Sequence, residues 1–570
     1  MKYSIKKLIC LFIVFLLFII PSGLSTEIQI KNDDTLKNTF QDTSENLSLN
    51  NIKIKEIKGG TTLSITIQNE GNIDYHNIQI LTRLTGRLIL PPKVRTHEID
   101  LLTAEGPFST DIIKDKIFGV GKVQISIGVK ITEEEVIIGQ VTALVIGLFI
   151  IILQTILNEQ NLYEGYTLFT SEYSTDTYLI NNAGEVVHQW NGSYIQGLGT
   201  YLLENGNLIR SDCSKKPDTH FLIGGFTGHV GIYAPNGSLV WDFEYSNNQH
   251  CLHHDIEPLP NGNILMISWE YKTWVEAVAT GRNTNIVDNF IYPDYIIEVK
   301  PTGFSSGDIV WEWHVWDHLI QDFDPSKNNY GVVKNHPELI DVNFATIKKD
   351  WTHINSVDYN EELDQILLCS RYFNEIWIID HSTTTEEAAG HNGGRYGKGG
   401  DLLYRWGNKQ TYRAGDEEDQ QLFEPHGAKW IESGCPGEGN ILVFNNQRVL
   451  EDEPNPNLRR YSSVDEIIPP VDLNGNYHKI GVAYGPISTT WSYYDEENPH
   501  DFYSPTLSGA QRLPNGNTLI CDGDPAGKFF EVTPEKGIVW EYENTFSQIN
   551  NVFNIYRYSP DYPGIKILLK

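Results

Sequence analysis

Leu259-Pro260-Asn261-Gly262-Asn263-Ile264 and Leu513-Pro514-Asn515-Gly516-Asn517-Thr518 are two copies of one phrase, with a looser third at Leu203-Glu204-Asn205-Gly206-Asn207-Leu208. Asn-Gly between apolar runs signals a tight hairpin, because both residues tolerate the left-handed backbone such a turn needs. His254 stands five residues before Leu259. Sliding the same template onto two blocks that lack Asn-Gly puts His353 and His426 at that register, and Ser508 takes the place in the last copy. If the repeats are blades around an axis, equal register means equal depth, and three imidazoles from different blades converge on one pocket.

A second marker repeats. Short apolar-aromatic strands ending in Trp or Tyr recur at Val186-Val187-His188-Gln189-Trp190, Leu239-Val240-Trp241-Asp242-Phe243, Ile309-Val310-Trp311-Glu312-Trp313, Leu402-Leu403-Tyr404-Arg405-Trp406, Ile480-Gly481-Val482-Ala483-Tyr484 and Ile538-Val539-Trp540-Glu541-Tyr542. Several follow a reversal such as Pro235-Asn236-Gly237 or Pro301-Thr302-Gly303. Six such markers predict an all-β chain carrying a six-bladed β-propeller. Their spacing exceeds the roughly 40 to 50 residues of a bare blade, so long loops are inserted. A β-sandwich or barrel built from the same strands is the alternative.

At 570 residues, 40% apolar and 11% aromatic, the chain can build more than one core. A formal net charge of −31, with no basic stripe, argues against a nucleic-acid partner. It also means that an anionic ligand is repelled at long range, so its site must supply positive charge or hydrogen-bond donors. The cysteines Cys10, Cys213, Cys251, Cys369, Cys435 and Cys521 are scattered without zinc-ligand spacing and read as buried small hydrophobes.

Lys2, Lys6 and Lys7 precede the apolar run Leu8 to Ile20, followed by Pro21-Ser22-Gly23, so residues 1–26 read as a signal peptide or membrane anchor. Residues 27–135 alternate as in Asn51-Ile52-Lys53-Ile54-Lys55 and Thr62-Leu63-Ser64-Ile65-Thr66-Ile67, which predicts a small immunoglobulin-like β-sandwich. Val136 to Leu153 is eighteen residues without a charge, so 136–157 is expected to be a transmembrane helix, with a hairpin packed on the sandwich as the alternative. Neither flank carries a nearby Lys or Arg that would set its direction. If this segment does not span, everything after it stays on the side to which the first segment delivers it. The propeller is assigned to 160–570.

The chemistry concentrates in Cys251-Leu252-His253-His254-Asp255, Trp351-Thr352-His353-Ile354-Asn355-Ser356, Cys369-Ser370-Arg371-Tyr372-Phe373 and Phe423-Glu424-Pro425-His426-Gly427. The second and third blocks belong to one hairpin reversing at Glu361-Glu362-Leu363-Asp364, which brings Arg371 toward His353. A single buried histidine is usually a hydrogen-bonded core residue. Three at one register beside an arginine point instead to an anionic ligand, because burying so many polar and cationic groups around one axis is expensive otherwise. By strand alternation, His253 should point away from the axis if His254 points in.

His-His-Asp before Leu-Pro-Asn-Gly-Asn, Thr-His-x-Asn-Ser followed by Ser-Arg, and Glu-Pro-His-Gly-Ala resemble the bacterial and archaeal aryl-sulfate sulfotransferase (arylsulfotransferase) family over about residues 160–570. The resemblance implies a six-bladed propeller that moves a sulfuryl group from a phenolic sulfate ester to a phenolic acceptor, without a nucleotide sulfate donor and without a cofactor or metal. By motif, His426 resembles the nucleophile that is transiently sulfurylated. His254 and His353 resemble the flanking catalytic histidines, and Arg371 with Asn355 resembles the groups that hold the sulfuryl oxygens. The hydrophobic segments predict a membrane-associated chain, a departure from the soluble, secreted members of that family. The resemblance itself implies an extracytoplasmic catalytic unit whose partners are small aryl sulfates and phenols.

Physical chemistry supports such a set. Sulfuryl transfer resembles phosphoryl transfer in placing charge on peripheral oxygens and on the departing phenolate. Arg371 supplies a fixed cation, a neutral His426 can attack sulfur, and one of the other histidines can exchange the phenol's proton. Trp269, Tyr271, Trp274, Tyr372, Phe373, Trp491 and Tyr503 lie close enough in sequence to face an aryl group, though blade packing explains them equally well. Two other functions suit the same residues. One is a metal enzyme using the three histidines with Asp255, against which Arg371 argues by charge. The other is a non-catalytic ligand-binding propeller or one holding a quinone. Gly393 to Gly400 reads as a flexible insertion.

Overall fold

The computed structural model describes residues 52–58, 61–69, 75–85, 94–102, 110–117, 119–131, 134–147 and 149–157, then 162–570 apart from 216–218, 288, 345–347, 452, 457–458, 473 and 547–548. The chain divides into two compact units, Met1–Leu162 and Tyr163–Lys570. The segment read as a signal or anchor, 1–26, lies outside the described residues.

The first unit is a two-sheet β-sandwich. Ile52–Lys58, Leu63–Asn69 and Thr110–Asp115 form one sheet. Val94–Leu102, Tyr75–Thr85, Gly119–Ile131, Glu134–Gly147 and Phe149–Leu157 form the other. Alternate residues such as Ile65, Ile67, Ile80 and Ile127 fill a common aliphatic core, the period-two pattern of a half-buried strand.

The uncharged run at 136–157 corrects an expectation, because it is not a transmembrane helix. Glu134–Gly147 and Phe149–Leu157 pair antiparallel with each other, and the former also pairs with Gly119–Ile131. The run is rich in β-branched residues, including Val136, Ile137, Val141, Thr142, Val145 and Ile150, which favour extended backbone. Val145 and Ile150 enter the sandwich core, so the hairpin alternative is the one adopted. No helix among the described residues is long and apolar enough to cross a membrane.

Among the described residues, the second unit contains six four-stranded antiparallel sheets met in chain order, with three two-stranded ladders in their connections. The first is Gln196–Leu202 to Leu239–Glu244, and the second His250–Pro258 to Ser306–His314. The third runs from Ile354–Asn360 to Tyr404–Trp406, the fourth from His426–Trp430 to Trp491–Tyr493, and the fifth from Gly509–Arg512 to Ile538–Glu543. The closing sheet joins Tyr166–Thr170, Asp176–Asn181 and Val186–Asn191 from its beginning to Tyr556–Tyr558 from its end. Leading strands of successive sheets lie side by side.

The repeated phrase makes the same turn each time. The amide of Leu259 donates to the Asn263 carbonyl at 2.9 Å and that of Leu513 to Asn517 at 2.8 Å, with the matching bond from Leu203 to Asn207 also at 2.8 Å. The glycines at the corners have φ of 85, 92 and 81°.

The tryptophan marker has an equally specific role. At five junctions an indole N–H donates to the next sheet or to the loops attached to it: Trp241 to the Ser306 carbonyl, Trp311 to Thr383 Oγ1, Trp406 to Pro486, Trp491 to Pro534 and Trp540 to Asn182. At the sixth junction the Trp190 indole is buried without a partner, and His188 instead reaches the Pro235 carbonyl at 2.9 Å. One expected marker was misplaced. Ile480 to Tyr484 is a two-residue ladder turning at Gly481 (φ 70°), and the outer strand of that sheet is Trp491–Tyr493. Cys213, Cys251, Cys369, Cys435 and Cys521 are free thiols, most of them buried.

Candidate active site

The strands that lead the sheets are bulged where the histidines sit. The ladder of His250–Pro258 slips between Leu252 and Ile256, and that of His426–Trp430 between His426 and Lys429. His254, His353 and Ser508 have left-handed backbones, with φ of 53, 48 and 82°, while beside His426 the residue in that state is Gly427 (φ 58°). Such conformations cost on the order of 1–3 kcal/mol for a non-glycine residue and gather at functional sites. At Gly427 a Cβ would lie 2.7 Å from the Ser508 carbonyl, so the crowding requires glycine. The bulges add two residues in the strands of Leu198 and His254 and one in that of His426, and side chains three positions apart line up between neighbouring strands. Two layers result, one holding Leu198, His254 and His426, the other Tyr201, Glu257 and Lys429.

In the first layer the rings of His254 and His353 approach to 4.6 Å between centroids. The geometry around His426 fixes its tautomer. Asn446 gives its amide N–H groups to the carbonyls of Ser504 (2.8 Å) and Leu507 (3.1 Å), so its Oδ1 must face His426 Nδ1, 2.9 Å away. The Glu424 carbonyl lies 3.3 Å from the same nitrogen. Both are acceptors, so Nδ1 carries the proton and Nε2 the lone pair. Burial, then the Arg371 guanidinium and the His353 ring, hold the His426 pKa well below the ordinary histidine value. The ring is therefore a neutral imidazole.

His353 is oriented differently. Its Nδ1 meets the carboxylate of Asp350, whose other oxygen accepts from the Trp269 indole at 3.1 Å. An imidazole backed by a carboxylate can take up a proton at Nε2 without losing its orientation. His254 has no such partner. Its Nδ1 lies 2.8 Å from Nδ1 of His253, which stacks on Trp269 at 3.9 Å and has Asp294 Oδ1 2.9 Å from Nε2. Burial, then the rings of His353, His253 and His426 and the Arg371 cation, push the His254 pKa far down. The expectation that His253 turns away needs correction in part, since the left-handed turn at His254 breaks strand alternation and puts the two rings in contact.

Arg371 follows the hairpin as expected, its amide donating to the His353 carbonyl at 3.1 Å. Its side chain is not a lone cation. Nε and Nη2 both donate to Glu424 Oε2, at 3.0 and 2.5 Å. Asn355 directs its N–H group to the Pro425 carbonyl (2.7 Å), the residue before His426, and leaves Oδ1 buried without a partner. Tyr372 packs on His353 at 4.8 Å, with the Lys348 ammonium 3.6 Å from its ring centre.

Of the other aromatic candidates, Trp269 backs His253, Trp491 is the link between sheets described above, Tyr503 donates to Gln447, and Phe373 joins the core of the second and third sheets. Leu198, Leu507 and Phe553 form an apolar cluster whose Phe553 ring lies 6.4 Å from His254. Sequence reading missed Asp350, Glu424, Asn446 and Lys348. Asp350 and Glu424 stand within three residues of a selected histidine, a signal that could have been used, whereas nothing local marks Asn446.

The second layer is an ionic network. Lys429 Nζ lies 2.8 Å from Glu257, 3.1 Å from the Tyr201 hydroxyl, 3.0 Å from the Val357 carbonyl and 3.3 Å from Asp358. Tyr201 donates to Asp255 at 2.8 Å and receives the Tyr556 hydroxyl at 3.0 Å. Burial alone would lower the Lys429 pKa, but Glu257 and its other neighbours hold it well above the ordinary value. Asp255 thus belongs to this network and not with the histidines, which removes the carboxylate that a three-histidine metal site would have used.

A model of the Arylsulfotransferase (ASST) family matches residues 154–555. No curated protein matches the chain. Among solved structures, a protein of unknown function from Bacteroides caccae is 11% identical, with 69% of this chain and 98% of that one covered at a TM-score of 0.38. A functionally unknown protein from Desulfotomaculum acetoxidans is 11% identical, with 77% and 96% covered at a TM-score of 0.33. At these scores the likeness adds nothing to the sheets described above.

Proposed function

The chain belongs to the arylsulfotransferase family, and from that premise we propose that it transfers a sulfuryl group from a phenolic sulfate ester to a phenolic acceptor through a sulfohistidine at His426. The reading takes the six sheets as blades of one propeller, with the histidine layer at its axis. The observation that carries it is the fixed tautomer of His426: Asn446 and the Glu424 carbonyl hold the proton on Nδ1, and the neutral ring presents the Nε2 lone pair.

In the first half-reaction Nε2 forms a bond to sulfur as the bond from sulfur to the aryl oxygen breaks. The phenolate leaves with that electron pair and takes a proton from His353. The positive charge developing on the sulfurylated ring is met at Nδ1–H by Asn446 Oδ1. In the second, the acceptor phenol gives its proton back to His353 while its oxygen attacks sulfur, and the N–S bond breaks to restore His426. Asp350 supports His353 in both directions, which assigns the proton to His353 and leaves His254 as a neutral contact for the sulfuryl oxygens. Arg371 holds those oxygens once an anionic sulfate competes with Glu424 for the guanidinium, a fork geometry suited to either. Asn355 acts through Pro425, setting the segment that carries His426.

We place this chemistry outside the cytoplasm. Lys2, Lys6, Lys7 and the apolar run Leu8 to Ile20 support export, and with 136–157 folded as strands no second crossing by that segment returns the catalytic unit. Protease digestion of intact cells tests it, since a protected catalytic unit would end that placement.

The reaction is tested with para-nitrophenyl sulfate carrying labelled sulfur, with and without added phenol. Release of nitrophenol, acceleration by phenol and label on the His426 peptide are expected for the wild type, and none of them for His426→Asn. Equal turnover by that variant would end the covalent route.

A further inference from the structure

Insertions of the second and third sheets bring together a second histidine cluster away from the axis. His318 is fully buried and stacked on Trp313, with centroids 5.7 Å apart. Its Nε2 lies 2.9 Å from the Ala388 carbonyl. A carbonyl only accepts, so that contact puts the proton of the neutral ring on Nε2 and directs the Nδ1 lone pair at Asp401 Oδ1, 2.9 Å away. Nδ1 of His391 reaches the same oxygen at 2.7 Å. A lone pair and a carboxylate oxygen at that distance repel each other unless a proton or a metal cation lies between them.

We propose that His318 Nδ1, His391 Nδ1 and Asp401 bind one zinc ion, with the fourth position open to solvent. The three ligand atoms already lie within 4.8 Å of one another. Zinc bonds of about 2.0–2.1 Å in tetrahedral geometry set such atoms about 3.3 Å apart, so each histidine nitrogen has to draw back from the Asp401 oxygen by about half an ångström. The bond from His318 to Ala388 is the outer contact that zinc-binding histidines use to fix tautomer and ring orientation. His391 lines a cavity of about 520 Å³ shared with Trp316, Asn329, Tyr330 and His336, which gives the ion an entry path and the open position a place for a small ligand.

The seat is built, not slack. Gly393 to Gly400, expected to be a flexible insertion, is closely packed at Gly393, Gly394, Gly399 and Gly400. A Cβ on Gly399 (φ 57°) would lie 2.3 Å from the Gly390 carbonyl, and one on Gly400 would lie 2.0 Å from the Ala388 carbonyl and 2.6 Å from His318 Nε2. The Gly400 carbonyl accepts from the Trp313 indole at 2.7 Å. These contacts hold His391 and Asp401 over His318. None of the residues takes part in sulfuryl transfer, so this site stands or falls separately.

The test uses the full chain without a histidine tag, stripped with a chelator and titrated with zinc against a chromophoric competitor. One tight equivalent per chain is expected, unchanged in His254→Ala. It should weaken by more than about 100-fold in His391→Ala, beyond the 10–100-fold that outer contacts cost. His391 is mostly exposed, so its loss leaves the fold intact, and Asp401→Asn provides a second variant. Cobalt substituted for zinc should give the intense visible bands of a four-coordinate site. Absence of a tight equivalent, which would mean a proton bridges the cluster, overturns the proposal, and so does a stoichiometry that neither variant alters.

Discussion

The two layers on the leading strands are built from the same bulged positions and meet opposite fates. Around Lys429, the cation faces Glu257, Asp358 and the Tyr201 hydroxyl within 3.3 Å. Around His426, two rings have pKa values forced down by burial and by the positive groups beside them, and the backbone is left-handed at His254, His353 and Ser508. A paired network serves the fold, because its members answer one another. Buried imidazoles kept neutral beside an arginine are held only by their surroundings, and they leave hydrogen-bonding demand for an anion to meet.

The sharpest way to break this contrast is to exchange the two kinds of loss. His426→Asn should lower turnover of an aryl sulfate by at least about 1,000-fold with unfolding free energy within about 1 kcal/mol of wild type, read by steady-state kinetics and denaturant titration. Lys429→Ala should do the reverse: it strands Glu257 in the interior and should cost about 3–5 kcal/mol of stability, and a midpoint unchanged in denaturant would show that the network is not structural.

Within the upper layer, Asp350→Asn leaves His353 in place without its carboxylate. A fall of roughly 100-fold or more in turnover, greatest for donors with poor phenolate leaving groups, is expected. An equal fall for all donors would remove His353 from the proton transfer.

The smallest effect is on pH. The folded pKa values of His254 and His426 lie well below the unfolded value near 6.5, so below that pH the unfolded chain binds protons that the folded one refuses. Their contribution is therefore intact above pH 6.5 and lost as pH falls toward the folded values, at up to about 2.7 kcal/mol per pH unit for two protons. The double variant His254→Gln with His426→Asn should flatten that slope, which denaturant midpoints across pH 4.5–8 (roughly the range that straddles histidine titration) can resolve.

Much of this was legible from local chemistry. The Asn-Gly phrase specifies its own turn, so three hairpins follow from it directly, while His353 and His426, in blocks without Asn-Gly, are tied to His254 only by a shared register. The indole marker is a packing device repeated between neighbours, which is why it recurs in sequence. What escaped was decided by contacts far apart in the chain. Asn446 matters because Ser504 and Leu507 fix its amide, and no spacing announces that. Glu424 stands two residues before His426, yet its ion pair with Arg371 depends on two sheets meeting. The run at 136–157 was misread because lack of charge looks the same in a buried hairpin as in a span, and only its β-branched composition distinguished them.

The closing sheet sets the order in which this molecule can be made. Tyr556–Tyr558 must join Tyr166–Thr170, and Phe553, which completes the apolar cluster near His254, lies in the same final stretch. During synthesis, five of the six four-stranded sheets can therefore form before Tyr166–Thr170 meets its Tyr556–Tyr558 neighbour and before Phe553 reaches the cluster near His254. A chain lacking Phe553 and Tyr556–Tyr558 would lose both the neighbour of Tyr166–Thr170 and one side of the apolar cluster beside His254.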